Sequence, residues 1–419
     1  MNRIVLFRSL CSLCLCGSIL VFVLAACQTA PQQVETPSAT LAPAPTEAGP
    51  PGATSLPTRL PDAVIEAADA EYALLTNLAE RAAPSVVSVQ VIYATPHPVL
   101  GEEARASGFI YDAQGNIVTN AHLVAQATRI TVVFDDGRAA DASLVGYDAA
   151  SDLAVIRVSL ETARLRPLSF TEAAPLQIGQ RAVILGNPFG LGSSLLTGVI
   201  SGLGRQIPAA EQMTNTLSPG FQTPAVIQVD ARLPLGYAGG PLLNTRGELT
   251  GVSVALRTAS GLLDDLDFAV PAESVRRIIP ELIATGKVDY AWLGIGSRPI
   301  EVGGGVAALA EPLSLPVSQG VLVENITPGS PAAEAGLRGG SERRLVRGAD
   351  ICAGGDIIVA VNEVFIANID ELLAYLVANT RPGDTIRLLI VRQGESFEVE
   401  VTLRSRPAQI PAEESACGQ

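Results

Sequence analysis

Between Pro84 and about Val270 this 419-residue chain consists mostly of short extended runs, and that pattern limits its fold more than any other feature. Val87, Val89 and Val91 alternate with Ser88 and Gln90, the period-two signature of a strand with one buried face. The run 129–134 leads into a turn at Asp136-Gly137, and further runs cover 152–158, 181–185, 197–203, 225–229 and 248–256. Many short strands at close spacing, broken by Gly and Pro, predict all-β barrels or sandwiches. Hydrophobic residues make up 48% of the chain but aromatics only 4%, so Val, Ile, Leu and Ala must fill the interior.

The flanks of this region read differently. Upstream, Ile65, Ala68, Tyr72, Leu75 and Ala79 recur at helical spacing and predict one apolar stripe packed on the same domain. Downstream, Val275, Ile278, Ile279, Leu282 and Ile283 share a helix face that ends near Gly286 and Lys287. Pro280 inside that helix predicts a kink or a break. From Trp292 to Arg404 the pattern becomes mixed α/β, with a helix near 369–378 and closing strands at 385–391 and 397–403. The stretch from Arg338 to Gly354 is read as a solvated insertion, although it carries Arg343, Arg344 and Arg347 close together.

The first residues form an address label. Arg3 and Arg8 precede an apolar run at 10–23, and Leu24-Ala25-Ala26-Cys27 follows, which resembles a bacterial lipoprotein signal with Cys27 as the lipid-bearing residue. The other reading is an uncleaved anchor, for which the apolar run is short. Both place the body at the cell membrane, tethered on its extracytoplasmic face. Residues 27–61 are rich in Pro, Ala and Thr and poor in large apolar side chains, so they read as a disordered linker. Cys11, Cys14 and Cys16 fall in the leader, leaving Cys352 and Cys417 as either a disulfide or two free thiols. A formal charge of −14 argues against nucleic acid as a partner, since phosphate binding needs a basic face. Only His97 and His122 exist, so no metal site is expected and no organic cofactor is implied.

Four short motifs carry chemistry. Thr119-Asn120-Ala121-His122 follows an extended run, Asp152-Leu153-Ala154-Val155 opens another, and Gly186-Asn187-Pro188-Phe189-Gly190 makes a tight turn. The fourth is Gly236-Tyr237-Ala238-Gly239-Gly240-Pro241-Leu242. Together they resemble trypsin-like serine proteases of the HtrA type, whose nucleophile loop is usually written G-N-S-G-G-P-L. The resemblance implies His122 as general base, Asp152 as the acid that orients it, and position 238 as the nucleophile. That position holds alanine here, and a methyl group can neither lose a proton nor form an acyl bond. Tyr237 also departs from the family's Asn, and Val229 from its usual Thr. The main-chain amides of Gly236, Tyr237 and Ala238 would supply the oxyanion pocket. Asp148 reads as a turn residue, His97 as an exposed loop residue, and Ser193 and Ser194 as belonging to a separate loop.

The α/β region is similar to a PDZ domain, with Leu293-Gly294-Ile295 as the loop that would receive a peptide's terminal carboxylate. The expected fold is therefore mainly β: a trypsin-like double six-stranded β-barrel at 62–288, an α/β PDZ domain at 289–406, and a tail at 407–419. The expected function is that of a proteolytically inactive homologue that binds unfolded polypeptides or C-termini as scaffold, chaperone-like holder or modulator. The family also suggests a homotrimer, or a hetero-oligomer with an active paralogue. The alternative is an active, ATP-independent endopeptidase.

Overall fold

The computed structural model describes residues 61–97, 100–159, 165–170, 176–207, 223–254, 267–298, 305–407 and 417. The chain divides into two units, Met1–Leu60 and Pro61–Gln419. The leader, Cys27 and the linker to Leu60 therefore lie outside the described residues.

The second unit begins with helix α1 (Asp62–Ala82), whose buried side is Leu78 and Ala82 with Leu75 packed beside them. Tyr72 is exposed, so the contact stripe is rotated from the one expected. The reason is where the helix docks: Leu78 lies against Gly247 and Arg81 donates to the Arg246 carbonyl.

Six strands follow, β1 (Val86–His97), β2 (Gly101–Ile110), β3 (Asn116–Asn120), β4 (Ala127–Phe134), β5 (Ala139–Asp148) and β6 (Leu153–Val158), with the one-turn helix α2 (Ala121–Val124) after β3. They close into a barrel in the order β1-β2-β3-β6-β5-β4. The second six are β7 (Arg181–Gly186), β8 (Ser194–Ile207), β9 (Thr223–Asp230), β10 (Pro241–Leu243), β11 (Leu249–Val254) and β12 (Asp267–Pro271), closed as β10-β11-β12-β9-β8-β7. Closure leaves no free sheet edge, which is how a chain of short Val-rich strands avoids pairing with neighbours.

Helix α3 (Ala272–Thr285) runs unbroken through Pro280, against the expected break. Val275, Ile278, Ile279 and Leu282 are fully buried, while Pro280 sits on the exposed face. On that face the proline ring meets solvent and not the packed core. Gly286 ends the helix at φ 77°, its N–H on the Leu282 carbonyl. These four side chains join Phe109, Val118, Leu153 and Leu185 in one cluster drawn from both barrels. Each such side chain contributes about 1.5–3 kcal/mol on burial, so α3 clamps the two barrels together.

The α/β region contains β13 (Ala291–Trp292), β14 (Ile295–Gly296), β15 (Val321–Leu322), β16 (Asn325–Ile326), β17 (Glu342–Val346), β18 (Ala349–Ala353), β19 (Ile357–Val361), β20 (Val364–Phe365), β21 (Thr385–Arg392), β22 (Glu395–Thr402) and β23 (Arg404–Ser405). Its helices are α4 (Val306–Leu309), α5 (Pro331–Glu334) and α6 (Ile369–Asn379). The main sheet runs β15-β19-β21-β22 with β20 on β19, while β14 pairs β16 and β13 pairs β23. The Arg-rich insertion is not a plain loop. It forms the hairpin β17–β18, and a disulfide joins Cys352 on it to Cys417.

Candidate active site

The site is built where the two barrels meet. β3 delivers Asn120, and α2 then lifts His122 inward, with its side chain buried. Opposite, Asp152 stands just before β6 at φ 58°, a left-handed conformation that Asp tolerates better than most residues. That twist aims both carboxylate oxygens at His122. Nδ1 lies 3.0 Å from Oδ1 and 2.8 Å from Oδ2, and the main-chain N–H of His122 donates to Oδ1 at 2.9 Å. The Asp152 carbonyl accepts from the Ala121 N–H at 3.0 Å and from Asn120 Nδ2 at 3.1 Å. Nδ1 therefore carries the proton, and Nε2 keeps the lone pair a general base needs.

The segment holding Ala238 is pressed against the same place. Gly239 adopts φ 81°, and a Cβ there would sit 2.3 Å from the Ser107 carbonyl and 2.5 Å from Thr119 Oγ1, one strand position before Asn120. The Ala238 carbonyl accepts from the Ser107 N–H, and its methyl is buried in the cluster that contains Ala121, Leu123 and Val124. Ser107 Oγ bridges the two loops of the site, donating to the Gly236 carbonyl and accepting from the Asn187 N–H. Ser253 Oγ holds the carbonyls of Tyr237 and Gly240. The structure thus joins His122 to Asp152 and packs the segment of position 238 against the 119–124 stretch that carries His122.

Two of the three expected oxyanion donors are spent elsewhere. Leu235–Tyr237 forms a 3-10 turn in which the Tyr237 N–H donates to the Pro234 carbonyl and the Ala238 N–H to that of Leu235. The cause is visible in Tyr237, whose ring is buried in the second barrel beside Gly186, where a Cβ would approach its Cδ1 to 2.6 Å. The ring anchors the turn and with it the inward amides.

His97 is buried, not exposed. It ends β1, stacks on Tyr93 at 5.4 Å between ring centroids, and accepts the Leu100 N–H at Nδ1. Burial, then the neighbouring charge of His122, lowers its pKa. Tyr93 in turn donates to the Leu123 carbonyl of α2. Ser193 is a structural residue, its hydroxyl on Asp135 and the Ala83 carbonyl. Asp148 does stand at a turn, accepting from the Ala150 and Ser151 main chain, but it also takes hydrogen bonds from Ser151 Oγ and from the Tyr290 hydroxyl at 2.5 Å. Nothing in the sequence near Asp148 could have announced a partner 142 positions away.

In the α/β region Gly294 has φ 85°, and a Cβ there would lie 2.2 Å from Ser330 Cβ. The Leu293 carbonyl accepts from Ala332, the Gly294 carbonyl from Thr327, and Ile295 pairs with Ile326. Among the described residues no group of side chains could hold a metal ion, and no helix is long and apolar enough to cross a membrane.

Comparison with known proteins agrees with this geometry. Residues 106–252 match a trypsin-like peptidase domain and residues 293–403 a PDZ domain. The chain is 35% identical over 305 residues to Protease Do-like 1, chloroplastic, of Arabidopsis thaliana, covering 73% of this chain and 64% of that protein. It is 33% identical over 302 residues to the periplasmic pH-dependent serine endoprotease DegQ of Escherichia coli, covering 72% and 59%. The chain thus spans less than two thirds of the length of the curated relatives it matches. Among solved structures, the HtrA-type protease AlgW with a tripeptide superposes with a TM-score of 0.61 at 28% identity, covering 80% of this chain and 98% of that one. The serine endoprotease from Yersinia pestis gives 0.52 at 27%, covering 80% and 98%.

Proposed function

Taking as premise that this chain carries a trypsin-like peptidase domain of the HtrA/DegP type followed by a PDZ domain, we propose that it is a proteolytically silent, peptide-binding homologue of those proteases. One observation carries the reading. An imidazole is oriented by a buried carboxylate, and the segment packed against the same α2 stretch carries, where a nucleophile would be expected, the methyl of Ala238. Amide hydrolysis by this mechanism needs an oxygen or sulfur that the base can deprotonate, and among the described residues the ring of His122 bonds only Asp152. The inward amides of Tyr237 and Ala238 work in the same direction, because a developing oxyanion would meet few donors.

What remains is binding. Leu293-Gly294-Ile295 and the strand that follows suit an extended peptide added to β14, with its terminal carboxylate at the loop. AlgW was solved with a tripeptide and with a decapeptide, which supports peptide ligands for this chain. The relatives named periplasmic, together with the leader ending at Cys27, support a lipid-tethered protein on the extracytoplasmic side, with a peptidase-like domain at 62–288 and a PDZ domain at 289–406. In that place it would hold or present exported polypeptides, alone as a homotrimer or within a hetero-oligomer with an active paralogue.

The second reading, an active endopeptidase, is favoured by the names of the relatives and the intact His122–Asp152 pair. A fluorophosphonate probe separates the two. Silence predicts no covalent labelling of the purified protein and no cleavage of casein; labelling at any residue sinks the reading.

A further inference from the structure

The hairpin β17–β18 has no part in the function proposed so far, and neither has the second face of the main α/β sheet. Alternation along β21 separates the two faces. Leu388 and Ile390 point into the core shared with α6, while Leu389 and Val391 point the other way. On that second face they join a cluster with Val359, the α4 residues Val306 and Leu309, and the hairpin residues Val346 and Ile351. The hairpin leaves part of this face uncovered. A cleft of about 820 Å³ lies there, floored by Val359, Leu389 and Val391 and walled by Leu315, Val317 and the exposed Phe365. Its rim is acidic. Glu311 lines it, and Glu398, directly opposite Leu389 in the β21–β22 register, stands on the same face. Among the described residues neither carboxylate has a hydrogen-bond or ion-pair partner, and no basic side chain lines the cleft.

The hairpin presents the complementary chemistry. Val346 is buried against the sheet, so Leu345 beside it points outward and is 73% exposed. Arg343 and Arg344 are paired with Asp350 and Glu342, but Arg347 at the turn is exposed and has no partner among the described residues. The knob is rigid. Arg347 and Gly348 hold the turn at φ 50° and 83°, and the root is braced by the Cys352–Cys417 disulfide and by the Cys352 N–H on buried Glu324. A preorganised leucine with one free cation loses little freedom on docking. Leu345 turns away from its own sheet and cannot fill its own cleft. Knob and cleft lie side by side on one face and both open outward, so a two-fold axis between them pairs each with its counterpart twice.

We infer that this face is a self-association surface. Two copies meet face to face, each laying Leu345 into the apolar cleft of the other and Arg347 against its acidic rim at Glu398. The contact joins C-terminal domains and is additional to any assembly of the barrels.

The test is sedimentation velocity of the purified full chain over a concentration series. The weight-average mass of the wild type should rise with concentration. Leu345→Asp should move the midpoint of that rise at least about tenfold upward, because a carboxylate then enters two apolar clefts. Arg347→Glu sets Glu against Glu at both contacts, and Glu398→Lys sets Arg against Lys, so each variant alone should associate about tenfold more weakly. An equimolar mixture of these two should recover most of the wild-type affinity, since both contacts of the mixed pair join opposite charges. A constant wild-type mass, a rise indifferent to Leu345→Asp, or a mixture no stronger than its components overturns the inference. Binding of a labelled basic amphipathic peptide by a wild type of constant mass would give the cleft a foreign occupant and overturns it as well.

Discussion

Restoring the missing hydroxyl by Ala238→Ser is the sharpest perturbation the site allows. Loss of the serine from an assembled triad costs on the order of 10⁶-fold in turnover, so a site intact in every other respect should regain about that factor. This one is not intact, because the amides at positions 237 and 238 are bonded to the Pro234 and Leu235 carbonyls. Each absent oxyanion donor costs about 10²–10³-fold, so two cost about 10⁴–10⁶-fold. The revertant is therefore expected to gain at most about 10²-fold over the parent and to stay about 10⁴–10⁶-fold below a complete site. Two assays read the two halves of the argument. Fluorophosphonate labelling, followed over time, reports whether the His122–Asp152 pair can activate a serine. Casein cleavage, run beside Escherichia coli DegQ, reports turnover. Labelling with weak cleavage is the expected result. Cleavage equal to that of the relative would refute the inward-amide reasoning, and a revertant that never labels would refute the claim that the base is competent.

Further expectations follow from single contacts. His122→Ala leaves Asp152 buried without its ring partner and should lower stability by about 3 kcal/mol, since only the main-chain bond survives; a thermal melt checks it. Gly294→Ala places a methyl against Ser330 at a positive φ, so peptide binding should be lost by anisotropy while the barrels still melt as in the parent. Burial holds Tyr93 up at about 12 and, with Asp148 beside it, holds Tyr290 well above the ordinary 10.0. Below that ordinary value both folded and unfolded chains keep these protons and stability is flat in this respect. Above it the unfolded chain loses them first, so stability should fall as pH rises from 10 towards 12. Tyr93→Phe should flatten part of that slope in melts taken across the range.

Much of the fold could be read from periodicity, because β1 to β12 owe their existence to short alternating Val and Ile runs whose partners are strands of the same kind. The pairing of His122 with Asp152 could be read as well, since three or four fixed neighbours shape each loop. What stayed hidden depends on contacts between distant residues. Tyr237 looked like a drifted letter, and only its packing against Gly186 explains the inward amides. His97 looked exposed between two prolines, yet Tyr93, four positions earlier on the same strand, draws it into a stack. Pro280 looked like a breaker, but its exposed placement on α3 makes it harmless. The insertion at 338–354 lacked alternation strong enough to announce a hairpin, and its disulfide partner lies 65 residues away.

On the silent reading proposed above, the survival of the His122–Asp152 pair next to an alanine-bearing loop needs a reason other than catalysis. Asp152 supplies one. Its carboxylate and carbonyl together accept four groups from 120–122: the Asn120 amide, the Ala121 N–H, and the main chain and ring of His122. These bonds close the junction between β3 and β6 and hold α2 against the barrel interior. Removing either partner would strand a buried polar group, at a cost comparable to that of losing a core side chain. The nucleophile position carries no such duty. Its methyl fits the apolar cluster of the first barrel, and its main-chain bonds are made by any residue. A site released from cleavage would therefore lose its serine first and keep its base and acid, the combination seen here. By this argument an intact acid–base pair in a trypsin-like barrel reports on the folding of that barrel, and only the residue at position 238 reports on chemistry.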